Sequence, residues 1–158
     1  TTVIRYPRGT GQGASWRDEA FEEIPVGKGI KLHEGEGIAI LTIGAVGNKA
    51  SEAVLKAEGE GIQVLHFNMR FIKPIDEEIL SEACRKAPTI ITVEDGALYG
   101  GLHSAVSEYV TTNGLGNKVI SLGIPDRFIE QGSVAELHRE CGYDAESIYN
   151  AIKENYKR

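Results

Sequence analysis

No stretch of the chain is long and apolar enough to span a bilayer. The longest such runs, typified by IAILTIGAV at 38–46, stop far short of the roughly 18 residues a membrane helix needs. Nor does a basic segment followed by an apolar one open the chain as a secretory signal would. Two cysteines, Cys84 and Cys141, are too few for a disulfide framework and suit a reducing cytosol, so a cytoplasmic protein is expected. Positive charge is in deficit: 17 Lys and Arg against 23 Asp and Glu give −6, which disfavours nucleic acid or an anionic membrane as partner. Walker A, strand-linked GxGxxG and GxSxG segments are all missing, and the four histidines and two cysteines have no metal-ligand spacing. An initiator methionine is missing too; the chain starts Thr1-Thr2. The expectation is a fragment of a longer protein.

What is present is an ordinary globular mixture, 41% hydrophobic and 25% charged over 158 residues, enough for one domain with a real core. Glycine is abundant, at 19 residues, and punctuates the chain. Residues 1–26 read as an extended arm, with prolines and glycines crowded between Pro7 and Gly13. From residue 27 onward the pattern alternates. Two apolar runs on either side of His33-Glu34-Gly35-Glu36-Gly37 predict a hairpin, whose second run, 38–43, is buried on both faces. The first run would then be an antiparallel edge strand.

Strands are predicted at 62–67, 89–93 and 119–124, and helices at 48–60, 76–86 and 102–112. Asp76 is a good N-cap, with Glu77 and Glu78 in the first turn. Ser133 and Glu136 stand at capping-box spacing, and Asp144 caps a final helix. Strands alternating with helices imply an α/β fold. The expected form is three-layered and doubly wound, with a mostly parallel sheet of about five strands.

Few residues carry a chemical signal. Arg8, between Pro7 and Gly9, has two readings: a solvated surface arginine, or a guanidinium placed to grip an anion in a bidentate fork. Arg5 reads as a rim ion pair. The strand ending Glu94-Asp95, with Tyr99, Gly100 and Gly101 before a helix, reads either as a glycine-eased acidic turn or as a ligand or interface site. Tyr99 is an interface aromatic on this reading. Ser104 would cap that helix or pack. His66 reads as a packed histidine inside a strand, and Cys84 and Cys141 as packing residues without a base to activate them. Arg70 and Lys73 read as solvated or paired with carboxylates.

Several segments taken together go further. IRYPRGTGQG (4–13), EEIPVGKG (22–29), NMRFIKPID (68–76), TVEDG (92–96), GGLHSAV (100–106) and LGIPDRFIEQGS (122–133) occur in this order. In sequence and spacing they resemble the carboxy-terminal domain of the 1-deoxy-D-xylulose-5-phosphate synthase family. The likeness covers nearly the whole chain. It implies a transketolase C-terminal-like domain over 27–158, preceded in the parent by cofactor-binding domains that these residues lack. It implies a homodimeric transferase that uses thiamine diphosphate and Mg²⁺ to join pyruvate to glyceraldehyde 3-phosphate with loss of CO₂. The product feeds isoprenoid and thiamine biosynthesis.

By the same resemblance this chain binds neither cofactor by itself, supplies no catalytic residue and no metal ligand, and is inactive alone. Its partners would be the remaining domains of its own chain and a second copy of the parent. Arg8 matches the second arginine of the family's RYPRG segment, which implies a grip on the aldehyde's phosphate, with Arg5 supporting the loop. Two positions differ from the family's usual pattern. Gly96 follows the acidic pair where Asn is common, and His103 stands where glycine is common. Two other readings compete: a domain of another transketolase or of a 2-oxo-acid dehydrogenase beta subunit, and a non-catalytic assembly module.

Overall fold

The computed structural model describes Val3, Ala20 and residues 22–156. Ten elements follow in order: β1 (Ile30–His33), β2 (Ile38–Ile43), α1 (Gly47–Gly59), β3 (Val64–Asn68), α2 (Glu77–Lys86), β4 (Thr89–Ala97), α3 (Leu102–Thr112), β5 (Lys118–Ile124), α4 (Val134–Glu140) and α5 (Ala145–Asn155). The five strands form one sheet in the order β1-β3-β2-β4-β5. All neighbours are parallel except β1 and β3. This is the expected doubly wound α/β architecture with one antiparallel edge strand.

Strand β2 is central because nothing in it needs water. Ile38 and Ile40 face a cluster completed by Ala50, Ala53 and Val54 of α1 and Ile148 and Ile152 of α5. Ala39 and Leu41 face the opposite cluster, with Leu80 and Ala83 of α2 and Leu102, Val106 and Val110 of α3. Helices therefore cover both faces, as crossovers between parallel strands require.

The predicted hairpin does not form. β1 pairs with β3, not with β2, because β2 spends both edges on the parallel partners β3 and β4. The link between β1 and β2 instead passes against the start of β3. A Cβ on Gly35 would lie 2.4 Å from the Val64 carbonyl carbon, so only glycine permits that crossing. Strand boundaries also move, two of them by more than one residue. β3 starts at Val64 rather than 62, and β4 runs on to Ala97 rather than ending at 93, with a register shift against β5 between Val93 and Ala97. Helix starts are closer to expectation because their caps are local. The Asp76 side chain accepts from the Glu78 and Ile79 N–H groups, and Ser133 with Glu136 closes the reciprocal capping box.

Candidate functional site

Parallel strands aim their carboxyl ends at one edge of the sheet, and crevices that take ligands form there in open α/β folds. In this chain that edge carries the β4–α3 connection. Its key side chain is Glu94, for which the sequence permits either an acidic turn or a ligand or interface role. The structure buries it at 4% exposure. Oε2 accepts the Leu102 N–H at 2.9 Å and Oε1 accepts the His103 N–H at 3.0 Å. The carboxylate is therefore the cap that α3 lacks locally, since the N-cap residue Gly101 has no side chain to offer. Gly101 leaves the room: a Cβ there would stand 2.0 Å from Glu94 Oε2.

The other members of the loop face outward. Gly100 takes φ +82 and its N–H donates to Ser104 Oγ at 2.8 Å, so Ser104 ties the turn and does not cap the helix. Tyr99 is 75% exposed. Asp95 accepts from the Tyr143 hydroxyl at 3.0 Å. Across the adjacent β5–α4 connection Phe128 is fully exposed. Tyr99, Gly100 and Gly101 thus share one loop, with Glu94 of β4 beneath it. Arg8 and Arg5 lie outside the described residues.

Neither cysteine is held as a thiolate, and no metal centre is formed among the described residues. Burial pushes the Cys84 and Cys141 thiols up, away from thiolate. No three His, Cys, Asp or Glu side chains among the described residues converge on a place where a metal ion could sit. These residues accordingly do not fit Mg²⁺ or a diphosphate bound through it. At the opposite, amino end of the parallel strands, an open depression of about 390 Å³ is lined by His33, Glu34, Glu36, Glu58 and Lys86. Glu34 and Lys86 pair with each other there. The ammonium groups of Lys31 and Lys86 hold the Glu34 carboxyl down to about 2.

His66 was read as a packed histidine, and it is one, at 1% exposure. The Thr42 hydroxyl donates to the Phe67 carbonyl at 3.1 Å, so it can only accept from His66 Nε2, also at 3.1 Å. That fixes the neutral ring as the Nε2–H tautomer and leaves Nδ1 without a partner among the described residues. Burial, with a smaller contribution from His33, depresses the imidazolium pKa from 6.5 to about 4. The unfolded chain therefore takes up this proton first. Stability owed to neutral His66 is present above pH 6.5 and is lost as pH falls toward 4, up to about 3 kcal/mol in all. Urea unfolding at pH 7 and near pH 4.5 should show the loss, and His66→Gln should remove most of the difference. An unchanged pH dependence in that variant would refute this account.

Residues 27–148 match the family model "Transketolase, C-terminal domain". The chain belongs to the transketolase C-terminal domain family. Relatives described as "1-deoxy-D-xylulose-5-phosphate synthase" include one from Cytophaga hutchinsonii, 50% identical over 95% of this chain and 23% of its own length. Another, from Bacteroides fragilis, is 46% identical over 99% of this chain and 24% of its own. A solved structure described as "Split gene transketolase, inactive beta4 tetramer" matches with a TM-score of 0.78 and 32% identity, over 89% of this chain and 46% of that one. This transketolase C-terminal domain thus spans about a quarter of the length of the curated relatives named here.

Two roles were not visible in the sequence. The Glu94 cap spans 8 and 9 residues and crosses between elements, which no local capping pattern contains. Asn117, in the loop before β5, donates its amide to the Cys84 and Ala87 carbonyls and so closes the end of α2 from 30 or more residues away.

Proposed function

We propose that this chain is the C-terminal domain of a 1-deoxy-D-xylulose-5-phosphate synthase, a transferase of the transketolase type. In the intact enzyme it would close the substrate side of a thiamine-diphosphate and Mg²⁺ site built by the other domains of the chain, and it would contribute to a homodimer. The observation that carries this reading is the identity of 42–50% to relatives of that description, maintained over nearly all of this chain. The residue with a direct role would be Arg8, whose guanidinium would hold the phosphate of glyceraldehyde 3-phosphate. Its contribution is orientation of the aldehyde carbonyl and not proton or electron transfer. Arg5 would support that loop. The Glu94–Gly101 pair would set the α3 start, with Tyr99 at the interface or rim.

The test is the parent protein supplied with pyruvate, glyceraldehyde 3-phosphate, thiamine diphosphate and Mg²⁺. The expected product is 1-deoxyxylulose 5-phosphate with one CO₂ per turnover. Transfer of a two-carbon ketol unit between sugars, or acylation of a lipoyl group in place of this condensation, would refute the assignment. The 158-residue chain alone should neither bind thiamine diphosphate with Mg²⁺ nor consume pyruvate. Titration calorimetry checks the first, and micromolar binding would overturn it.

A further inference from the structure

The chain has six asparagines, and one of them, Asn113, is followed by glycine. Asn113 is the C-cap residue of α3, and both it and Gly114 are exposed. Main-chain bonds tie this end down. The Asn113 N–H donates to the Tyr109 carbonyl at 3.1 Å, the Gly114 N–H to the Thr111 carbonyl at 3.1 Å and the Leu115 N–H to the Val110 carbonyl at 2.9 Å. The Asn113 side chain adds another, its Nδ2 donating to the Tyr109 carbonyl at 2.9 Å. Gly114 stands at φ +63, and a Cβ there would meet nothing within 4 Å, so its surroundings are open. The other asparagines each precede a residue whose side chain crowds the next main-chain nitrogen. Asn117 is further held by bonds from its amide to two carbonyls.

We infer that Asn113 is a site of spontaneous deamidation, and that its conversion loosens the corner where α3 leads into β5. The Gly114 main-chain nitrogen loses its proton to base and attacks Asn113 Cγ. The Cγ–Nδ2 bond breaks, ammonia leaves, and a cyclic succinimide remains. Water then opens the ring at either carbonyl. One opening gives aspartate at position 113; the other gives isoaspartate, in which the main chain runs through the former side chain. Water enters and ammonia departs, with no oxidant or cofactor. In the closed cap the Gly114 N–H is turned to Thr111 and the Asn113 amide to Tyr109. Attack therefore follows fraying of the last turn, where helices open most readily. Glycine favours the step because it has no side chain to hinder the nitrogen and little barrier to rotating it.

Either product weakens the cap. A carboxylate in place of the amide has no N–H for the Tyr109 carbonyl, and it sets a negative charge on the negative end of the α3 dipole. Isoaspartate also adds a carbon to the main chain before Gly114, which displaces the Gly114 and Leu115 N–H groups from the carbonyls they now meet. The effect reaches past the helix because the connection to β5 is short. Just beyond Leu115 and Gly116, Asn117 holds the Cys84 and Ala87 carbonyls at the end of α2, and the Lys118 N–H donates to the Pro88 carbonyl. A shift at 113 therefore pulls on the end of α2 and on the starts of β4 and β5. This inference concerns the chain's own groups and does not depend on the activity proposed for the parent.

Incubation of the folded 158-residue chain at neutral and at alkaline pH, followed by digestion and mass spectrometry, tests the chemistry. The peptide containing Asn113 should gain the mass of amide-to-acid conversion, faster at the higher pH, with isoaspartate among the products. The other asparagines should stay largely unchanged over the same period. Asn113→Gln keeps an amide but would have to close a larger, slower ring, so conversion at 113 should disappear. Unfolding in urea should speed conversion of the wild-type chain, because it removes the bonds that restrain attack. Asn113→Asp supplies the charge without the altered main chain and should lower Tm by roughly 3–6 °C. The inference is overturned by a folded chain that stays unconverted at 113 while the urea-unfolded chain converts. Conversion at another asparagine at a similar rate, or an Asn113→Asp chain with the wild-type Tm, would also overturn it.

Discussion

Gly101→Ala is expected to destabilise the domain by about 3–5 kcal/mol, a fall in Tm of roughly 6–20 °C. The added Cβ would lie 2.0 Å from Glu94 Oε2, 2.7 Å from Cδ and 2.9 Å from Oε1, closer than any real contact. Gly101 sits at φ −95, so the backbone itself accepts alanine and the whole cost comes from the carboxylate. To make room, Glu94 must withdraw from the Leu102 and His103 N–H groups. Leu102 is fully buried, so its N–H cannot turn to water instead.

Glu94→Gln keeps an acceptor on the helix start but loses the charge that complements the α3 dipole, and should cost less, about 1–2 kcal/mol. The decisive comparison is the double variant Glu94→Ala/Gly101→Ala. With the carboxylate gone, alanine at 101 is relieved of all three of its nearest contacts, so the double change should cost much less than the sum of the two single ones. Chemical unfolding of the four proteins measures this. Additivity within experimental error, or a Tm of Gly101→Ala within about 2 °C of wild type, would refute the steric coupling.

Arg8→Ala in the full-length parent should cost about 2–4 kcal/mol in kcat/KM for the phosphorylated aldehyde, a loss of about 30- to 1,000-fold. The argument is chemical. A guanidinium keeps its charge at every working pH and presents donors in a planar fork that matches a phosphate. On the proposed reading, its removal would leave the substrate's dianionic phosphate without that partner. The effect should fall on KM for glyceraldehyde 3-phosphate, with the response to pyruvate little changed. Arg8→Lys, which restores charge but not the fork, should recover only part of the loss. Glyceraldehyde without the phosphate provides the control: wild type and Arg8→Ala should use it equally poorly. An unchanged kcat/KM for the phosphorylated substrate would make Arg8 a solvated surface residue, the other reading its local sequence permits.

The elements that could be read from the sequence are those whose causes are local. Asp76, Ser133 with Glu136, and Asp144 each satisfy N–H groups two or three residues away, so the starts of α2, α4 and α5 follow from short patterns. The uninterrupted apolar run in β2 likewise announces a strand buried on both faces. Sequence resemblance carried the family, because segments spread over the whole chain kept their order and spacing. The long-range pairings were not legible. Whether β1 lies beside β2 or beyond β3 depends on which strand fills both edges of β2, and the run 30–33 has the same pattern in either place.

By itself the sequence determined that the chain alternates strands with capped helices, that it is acidic, and that it resembles one enzyme family. Periodicity, net charge and motif spacing need no third dimension. Only the tertiary structure decided what Glu94 does. As a residue in a row it is a negative charge at the end of a strand. Folded, it is a buried cap, because the β4–α3 turn brings two orphaned N–H groups onto its oxygens and Gly101 leaves the space. Hydrogen-bond valence of this kind exists only once the sheet has fixed which way each main-chain group points.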